Sequence, residues 1–313
     1  MRFSKANTLK RIDNALNWIS IPRHLKGLMY ARVSLGVIML YIYSINYGQR
    51  YFLFGPNGAY TKTPAFSLFH VSDPLIFDVL YHSAILAALC FTIGFGGRFM
   101  TLINFLFFWS WTSVSILIGD GGDNLLRVMF PYLLLTDLYG KLKPNTTTLT
   151  TKILSTLHNF GLAAIIVQLC FVYLTAGLMK VQGGMWLDGT ALYYILQVDE
   201  FSNPFLSGLI INSPGLSVIG SYATVFFQLG FPFLILHPRI KPFVIGMSIL
   251  LHLGIWLFMN LPSFSWVMIA FELPFLSDAE YQKMISYLKS PLVSLKRKME
   301  KSSADEKTLQ NNV

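Results

Sequence analysis

Charged side chains are scarce in this chain. Asp, Glu, Lys and Arg make up 12% of its 313 residues, whereas a soluble globular domain usually carries about 25%. Hydrophobic residues make up 54% and aromatic residues 15%, and the mean hydropathy is +0.53. So few charges cannot cover the surface of a water-soluble domain of this size. The composition therefore excludes a soluble enzyme.

Cysteine is also scarce, since only Cys90 and Cys170 are present. Both lie in apolar stretches, and neither belongs to a Cys-x-x-Cys motif or a cluster with histidine, the patterns that disulfide frameworks and zinc sites need. We interpret both thiols as packing residues and predict no metal site. An internal repeat is lacking too, which argues against the inverted halves of many transporters.

Long apolar stretches dominate the chain instead. A helix needs about 20 apolar residues to cross the hydrocarbon core of a bilayer. We therefore predict an all-α, polytopic integral membrane bundle of about eight transmembrane helices, of which the fourth and eighth are short. The predicted spans are 28–46, 74–94, 99–118, 124–138, 159–180, 217–236, 242–259 and 263–276. An amphipathic segment at 1–27 precedes this 28–276 domain, and an amphipathic, basic tail at 277–313 follows it.

Basic residues predict the orientation of these spans, because cytoplasmic loops collect Lys and Arg. With eight spans, 19 of the 24 basic residues fall on the side of the N-terminus, and only Arg50 and Lys62 fall in loops on the other side. Both termini are therefore predicted to be cytoplasmic. This orientation explains the net charge of +9, so we expect the lipid bilayer as a partner and no nucleic acid.

Ionisable residues in or beside the spans are the candidates for function, because each is costly in hydrocarbon unless it meets a partner or a cavity. The glycine-rich turn before the fourth span contains Asp120, Asp123 and Asn124, and Arg127 follows Asp123 at the i,i+4 spacing of a helix pair. Two interpretations stay open. In the first, the turn simply caps the helix and Arg127 is neutralised locally; in the second, Asp123 and Arg127 belong to a site.

Lys180 ends the fifth span on the side that basic residues avoid. A snorkelling lysine is the simpler interpretation, whereas a partly buried amine at this place could act as a base. Tyr173 shares its helix face, and Gly177 on that face allows another helix to approach closely.

A polar and aromatic stripe follows the seventh span. Its members recur every four residues and therefore share one helix face: Ser248, His252, Trp256 and Asn260. A lone buried histidine is usually an interhelical hydrogen-bonding group, whereas the stripe favours a residue that lines a cavity. Both interpretations of His252 stay open.

Glu272 lies deeper, nearer the cytoplasmic side, and we predict a structural role with Arg32 or Arg98 as its partner. The other candidates gather on the outer side. There the loops 47–73 and 181–216 are rich in aromatic residues, and 181–216 contains no Lys or Arg. Such loops should fold back onto the membrane face and cover a pocket at the outer leaflet.

Several short motifs match a known family of membrane domains. They are Ala176-Gly177-Leu178-Met179-Lys180, the following Trp186-Leu187-Asp188-Gly189, the turn Phe54-Gly55-Pro56-Asn57-Gly58, the stretch Gly94 to Arg98, and His252 with Asn260. With these residues the chain resembles the vitamin K-dependent γ-carboxylase membrane domain, also called the horizontally transferred transmembrane (HTTM) domain. The resemblance covers residues 25–276.

This resemblance implies a chemistry. In the family, the lysine that matches Lys180 deprotonates vitamin K hydroquinone, whose reaction with oxygen yields the base that carboxylates glutamate. It thus implies Lys180 as the base, His252 as a pocket residue and menaquinol, a bacterial vitamin K, as the hydroquinone. Where the carboxylase has a His-Asn-His type of turn, this chain has Asp120 to Asn124. In that turn it is similar to a bacterial branch, the sporulation-delaying protein B family. Members of that branch act with a small accessory protein to produce a secreted peptide toxin from its precursor.

We therefore expect a bacterial plasma-membrane protein that matures or modifies an antimicrobial peptide toxin at the outer leaflet by γ-carboxylase-like chemistry. A non-catalytic export, chaperone or immunity component is the alternative, and a transporter is the third. The candidate catalytic residues are Lys180, His252 and Asp123. The candidate pocket residues are Asp120, Asn124, Arg127, Tyr173, Trp186, Asp188, Trp256 and Asn260.

Overall fold

A computed structural model describes residues 16–59, 66–114, 118–143 and 148–287, together with Arg11 and Asn14. The described residues between 25 and 272 form eight helices of 11 to 33 residues. They are α1 (Leu25–Ile45), α2 (Pro74–Ile93), α3 (Gly97–Val114), α4 (Gly121–Leu135), α5 (Leu149–Val181), α6 (Pro214–Leu234), α7 (Lys241–Met259) and α8 (Pro262–Glu272). The described part of the chain contains no β-strand, which confirms the all-α prediction.

Five of these helices are long and apolar enough to cross a membrane: α1, α2, α5, α6 and α7. The chain is therefore a multi-pass helical membrane protein. The helices α3, α4 and α8 have 18, 15 and 11 residues, so eight crossings and cytoplasmic termini stay predictions. The longest helix, α5, has 33 residues and a length of about 50 Å, well beyond the roughly 30 Å of hydrocarbon.

Local sequence fixes where the helices begin and end. Asp73 starts α2 by accepting hydrogen bonds from the amides of Leu75 and Ile76, and Pro74 occupies the first turn, where its missing N–H costs nothing. Gly94 ends α2 with φ 87°, a left-handed conformation that favours glycine. Asn260, with φ 54°, makes the equivalent turn between α7 and α8.

The short helix α8 lies at the centre of the bundle, where it contacts α1, α4 and α7. Val267, Ala270 and Phe271 on α8 are fully buried. The most extensive pairings among the other helices are α5 with α6 and α1 with α2. In the second pair, a side chain at Gly36 would collide with Thr92, so the glycine lets the two backbones approach. A helix enclosed by others does not need the length of a lipid-facing span.

The loop 181–216 folds into short helices at Gly184–Leu187, Ala191–Ile195 and Ser207–Ile211, all of which pack against α6. The loop therefore packs against the bundle, and its place on the membrane face over a pocket stays a prediction. Its outward side is apolar, and Phe205 has 90% of its surface exposed.

The two ends of the transmembrane domain contact each other. The carboxylate of Asp278 accepts hydrogen bonds from the amides of Leu25 (3.2 Å) and Lys26 (2.7 Å), the first residues of α1. A carboxylate there satisfies free N–H groups and complements the helix dipole. Residues 278–287 are helical. Residues 1–10 and the predicted tail after 287 lie outside the described residues.

Candidate functional site

Four polar side chains meet in the middle of the apolar bundle, and we call them the Tyr173 cluster: Tyr173 on α5, Ser248 and His252 on α7, and Glu272 at the end of α8. The hydroxyl oxygen of Tyr173 lies 2.8 Å from Nε2 of His252 and 2.5 Å from Oε1 of Glu272, and it also contacts the hydroxyl of Ser248. Each of the four residues has at most 2% of its surface exposed. A polar group this deep is costly unless it is hydrogen-bonded.

The protons in the Tyr173 cluster can be assigned from its geometry. Tyr173 and Ser248 each carry one hydroxyl proton, and both donate to Oε1 of Glu272. The Tyr173 oxygen can then accept only from His252, so the imidazole carries its proton on Nε2. This leaves two acceptors, Nδ1 of His252 and Oε2 of Glu272, as buried atoms without a partner.

Aromatic rings enclose this cluster. Phe231 on α6 stacks on the ring of Tyr173 with centroids 3.9 Å apart, and Phe227 meets the same ring edge-on. Phe264 on α8 contacts the His252 ring edge-on, with centroids 5.6 Å apart. Apolar walls remove competing water, so the hydrogen bonds of the cluster are stronger than they would be at the surface.

The predicted pairing of Glu272 with Arg32 or Arg98 is wrong. The guanidinium of Arg32 instead donates to three backbone carbonyls, those of Leu138 (3.1 Å), Phe91 and Thr92 (2.7 Å). Phe91 and Thr92 belong to the last turn of α2, whose carbonyls lack helical partners and attract a cation. Arg32 thus holds the end of α2, while Glu272 faces hydroxyl groups.

Lys180 lies on the same helix as Tyr173, seven residues further on, which corresponds to about 10 Å along the axis. Its ammonium lies 5.0 Å from the centre of the Trp186 ring, and it forms no ion pair with the described carboxylates. Between the two residues, a side chain at Gly177 would collide with Leu229 on α6. The close contact of α5 with α6 therefore depends on this glycine.

The acidic turn caps α4. Asp120 accepts from the amides of Gly122 (2.8 Å) and Asp123 (3.1 Å), and Asp123 accepts from the amide of Asp120 (3.0 Å), which together form a capping box. Ser263 donates to Asp120 at 2.5 Å and ties the turn to α8. Asp123 is 7% exposed and its Oδ1 has no partner.

Arg127 does not pair with Asp123. Its guanidinium lies 4.0 Å from the centre of the Trp109 ring, and the ion pairs of the described helices are formed by other residues, such as Arg50 with Asp78. Of the two interpretations of this turn, the structure therefore shows the helix cap.

Comparisons with known proteins relate part of this chain to a protein family. The HTTM domain matches residues 125–279. Over this stretch, just under half of its length, the chain is similar to HTTM-domain proteins. It is also 26% identical over 204 residues to the sporulation-delaying protein SdpB of Bacillus subtilis (strain 168). This match covers 62% of the chain and 62% of SdpB, less than two thirds of the relative's length. No solved structure matches. The resemblance drawn from the motifs is thereby confirmed.

The HTTM domain includes the Tyr173 cluster and Lys180, whereas Asp120, Asp123 and Asn124 precede it. Phe264 lies between the two groups, since its ring contacts His252 and its backbone would collide with a side chain at Gly122.

Four other candidates lie apart from the cluster. Asp188 and Asn260 are exposed, as is Asn124 in the acidic turn. Trp256 is half-buried and packs against Trp266, with ring centroids 5.9 Å apart.

The sequence alone does not predict that Glu272 belongs to the Tyr173 cluster. A usable signal exists, because Glu272 is the only charged residue in the 36 residues from 242 to 277. Such an isolated carboxylate in an apolar stretch marks a functional candidate in a membrane protein.

The described residues contain no group of three His, Cys, Asp or Glu that could hold a metal ion.

Proposed function

We propose that this protein, with a small accessory protein as its partner, modifies the precursor of a secreted antimicrobial peptide toxin at the outer leaflet of a bacterial plasma membrane. The similarity to a sporulation-delaying protein supports the peptide pathway. The observation that carries a catalytic role is the Tyr173 cluster, because four buried polar groups in an apolar bundle are costly. One of them, Tyr173, lies on α5, the helix that holds Lys180.

Within this proposal, Lys180 is the base of the modification reaction. A base needs a neutral amine, and no described carboxylate holds a proton on Lys180 by pairing with it. Trp186 restricts the position of the amine by covering it at 5.0 Å. The cluster acts two helical turns away as a positioning element, since its hydrogen bonds fix α5 against α7 and α8.

A reduced quinone does not fit the described residues. Its two ring hydroxyls need partners beside an open space, but the hydroxyls of Tyr173 and Ser248 already bond to Glu272, and aromatic rings close the cluster. Lys180 faces an indole rather than a second polar group. The proposal therefore contains no step that uses menaquinol.

The mass of the secreted peptide tests this function. The peptide would be collected from cells that express its precursor with the full chain, without it, and with the Tyr173→Phe variant. A mass difference between the first two samples identifies a covalent modification, and the proposal expects the unmodified mass without the chain. Equal masses in all samples contradict the catalytic role.

The exposed aromatic surface of the outer loop favours a second candidate, a non-catalytic export, chaperone or immunity component. Phe205 and Leu209, 90% and 59% exposed, could hold an apolar peptide without chemistry. This candidate predicts an unchanged peptide mass and a reduced amount of peptide outside the cell when Phe205 is replaced by Ser.

A further inference from the structure

A cavity of about 330 Å³ lies beside the N-terminal half of α5, away from the Tyr173 cluster. The residues that precede α1 form one wall, and two turns of α5 form the other. Its lining includes Trp18, Arg23, Asn159, Leu162, Ala163 and Ile166.

The polar and apolar parts of this cavity are separated along the membrane normal. Arg23 precedes the first span by two residues, and Asn159 begins the apolar stretch of α5. From Asn159 to Ile166 the wall descends seven residues, about 10 Å into the hydrocarbon. One end of the cavity is therefore cationic and at the interface, while the other end is apolar and deep.

Arg23 lines the cavity and forms no ion pair with the described carboxylates. Its guanidinium lies 3.9 Å from the centre of the Trp18 ring. Nε2 of His158 lies 2.8 Å from the backbone carbonyl of Arg23, and the side-chain amide of Asn159 donates through Nδ2 to the carbonyls of Ile19 (2.6 Å) and Ile21 (2.7 Å). The wall that carries Arg23 is thus fixed to α5 by several hydrogen bonds.

We infer that this cavity binds one anionic diacyl phospholipid, with its phosphate at Arg23 and an acyl chain along Leu162, Ala163 and Ile166. A guanidinium binds a phosphate through two parallel, charge-assisted hydrogen bonds. The depth of the apolar end matches a chain that descends from a headgroup at the interface. A peptide would have no equivalent reason to place an anion at the interface and a hydrocarbon chain below it.

The test measures lipid retention by the full chain. The protein is reconstituted in phosphatidylcholine that contains a minor fraction of phosphatidylglycerol with the same acyl chains, and the lipids that remain bound after gentle detergent release are identified by native mass spectrometry. We expect selective retention of phosphatidylglycerol. Arg23→Gln, which removes the charge, and Ala163→Trp, which fills the apolar end, should each lower its retention about tenfold.

Matched controls separate this site from general effects of charge and size. Arg239→Gln removes an exposed arginine elsewhere, and Ala223→Trp enlarges an exposed alanine on α6, so both should retain phosphatidylglycerol as the parent does. Arg23→Lys should keep most of the retention, and it shows that loss in Arg23→Gln does not come from misfolding. Free glycerol phosphate should not displace the lipid, because it lacks the chain.

Three outcomes would overturn the inference. They are equal retention of the two lipids by the parent, unchanged retention in both Arg23→Gln and Ala163→Trp, and displacement of the lipid by the precursor peptide, which would make the cavity a peptide site.

Discussion

The hydroxyl of Tyr173 lies 2.5 Å from Oε1 of Glu272, although 99 residues separate the two in the chain. This contact joins α5 to the central helix α8, and Ser248 and His252 complete it from α7. Three helices are therefore fixed relative to one another by one buried tyrosine hydroxyl.

Removal of that hydroxyl should be costly. Tyr173→Phe leaves His252 and Glu272 buried with one partner fewer each, and such losses destabilise by about 1–3 kcal/mol. Glu272→Gln keeps the shape and an acceptor oxygen, so its cost should be smaller. Because both changes act on one contact, their effects in the double variant should not add. Unfolding in detergent measures all three proteins.

The control for this comparison is Tyr222→Phe, whose hydroxyl donates to the carbonyl of Leu187 in the outer loop. It should change stability by no more than about 0.5 kcal/mol, as expected for a surface position. Strict additivity of Tyr173→Phe and Glu272→Gln would show that the two groups do not interact.

The acidic turn should respond as a helix cap. Asp120→Ala removes the acceptor for two amides and for Ser263, and loss of a cap costs about 1 kcal/mol. Asp123→Asn should be mild, since the side-chain oxygen of Asn can still accept from the amide of Asp120. Because Arg127 stacks on Trp109, Arg127→Gln and Asp123→Asn should give additive effects on stability and on peptide output. A double variant that recovers activity would reveal an ion pair that this structure lacks.

His24, just before α1, should make the stability depend on pH. Burial is the main effect and lowers the pKa of His24. The carbonyl of Pro274, which accepts from Nδ1 at 2.8 Å, raises this pKa in part. Of the charged neighbours, Lys241 lowers the pKa, while Asp278 and Glu280 raise it. The folded state thus favours neutral imidazole. This contribution to stability is complete above the ordinary pKa of about 6.5 and is lost as the pH falls from there through the lowered folded-state value.

His24→Asn isolates this effect. His24 has φ 56°, a conformation that Asn tolerates, and Asn does not titrate. The advantage of the parent over His24→Asn should shrink as the pH falls below about 6.5. A difference in unfolding free energy that stays constant with pH would refute the role of His24.

The topology can be tested with single cysteines after replacement of Cys90 and Cys170. Because 19 of the 24 basic residues fall on one side of the predicted spans, cysteines at Gly119 and Phe205 should react with an impermeant reagent from outside, and cysteines at Lys143 and Arg239 only after permeabilisation. Gly119 is preferred over Gly122, where a side chain would collide with Phe264. Outside labelling at Lys143 would reverse the orientation.

The sequence predicts much of the fold because helix signals are local. Apolar length, the cap at Asp73 and the turn at Gly94 set the ends of α2 within a residue or two. The four-residue spacing correctly placed Ser248 and His252 on one face. The spacing of residues along one helix does not reveal which other helix packs against it. The sequence therefore predicts an arginine as the partner of Glu272, whereas its partners are hydroxyl groups on α5 and α7. The partners of Arg32 are backbone carbonyls. Every residue has a carbonyl, so the sequence does not show which carbonyls Arg32 contacts.

Lys180→Arg tests the central claim most directly. Arginine keeps the charge and can still stack on Trp186, but it does not release its proton near neutral pH. If Lys180 is a base, Lys180→Arg therefore abolishes its function. If Lys180 is only a snorkelling side chain, arginine replaces it without loss. Lys152→Arg on the same helix is the matched control. The account predicts that the secreted peptide has the mass of the unmodified form with Lys180→Arg, and the parent mass with Lys152→Arg, at equal protein levels in the membrane. A peptide of parent mass from the Lys180→Arg protein would contradict it.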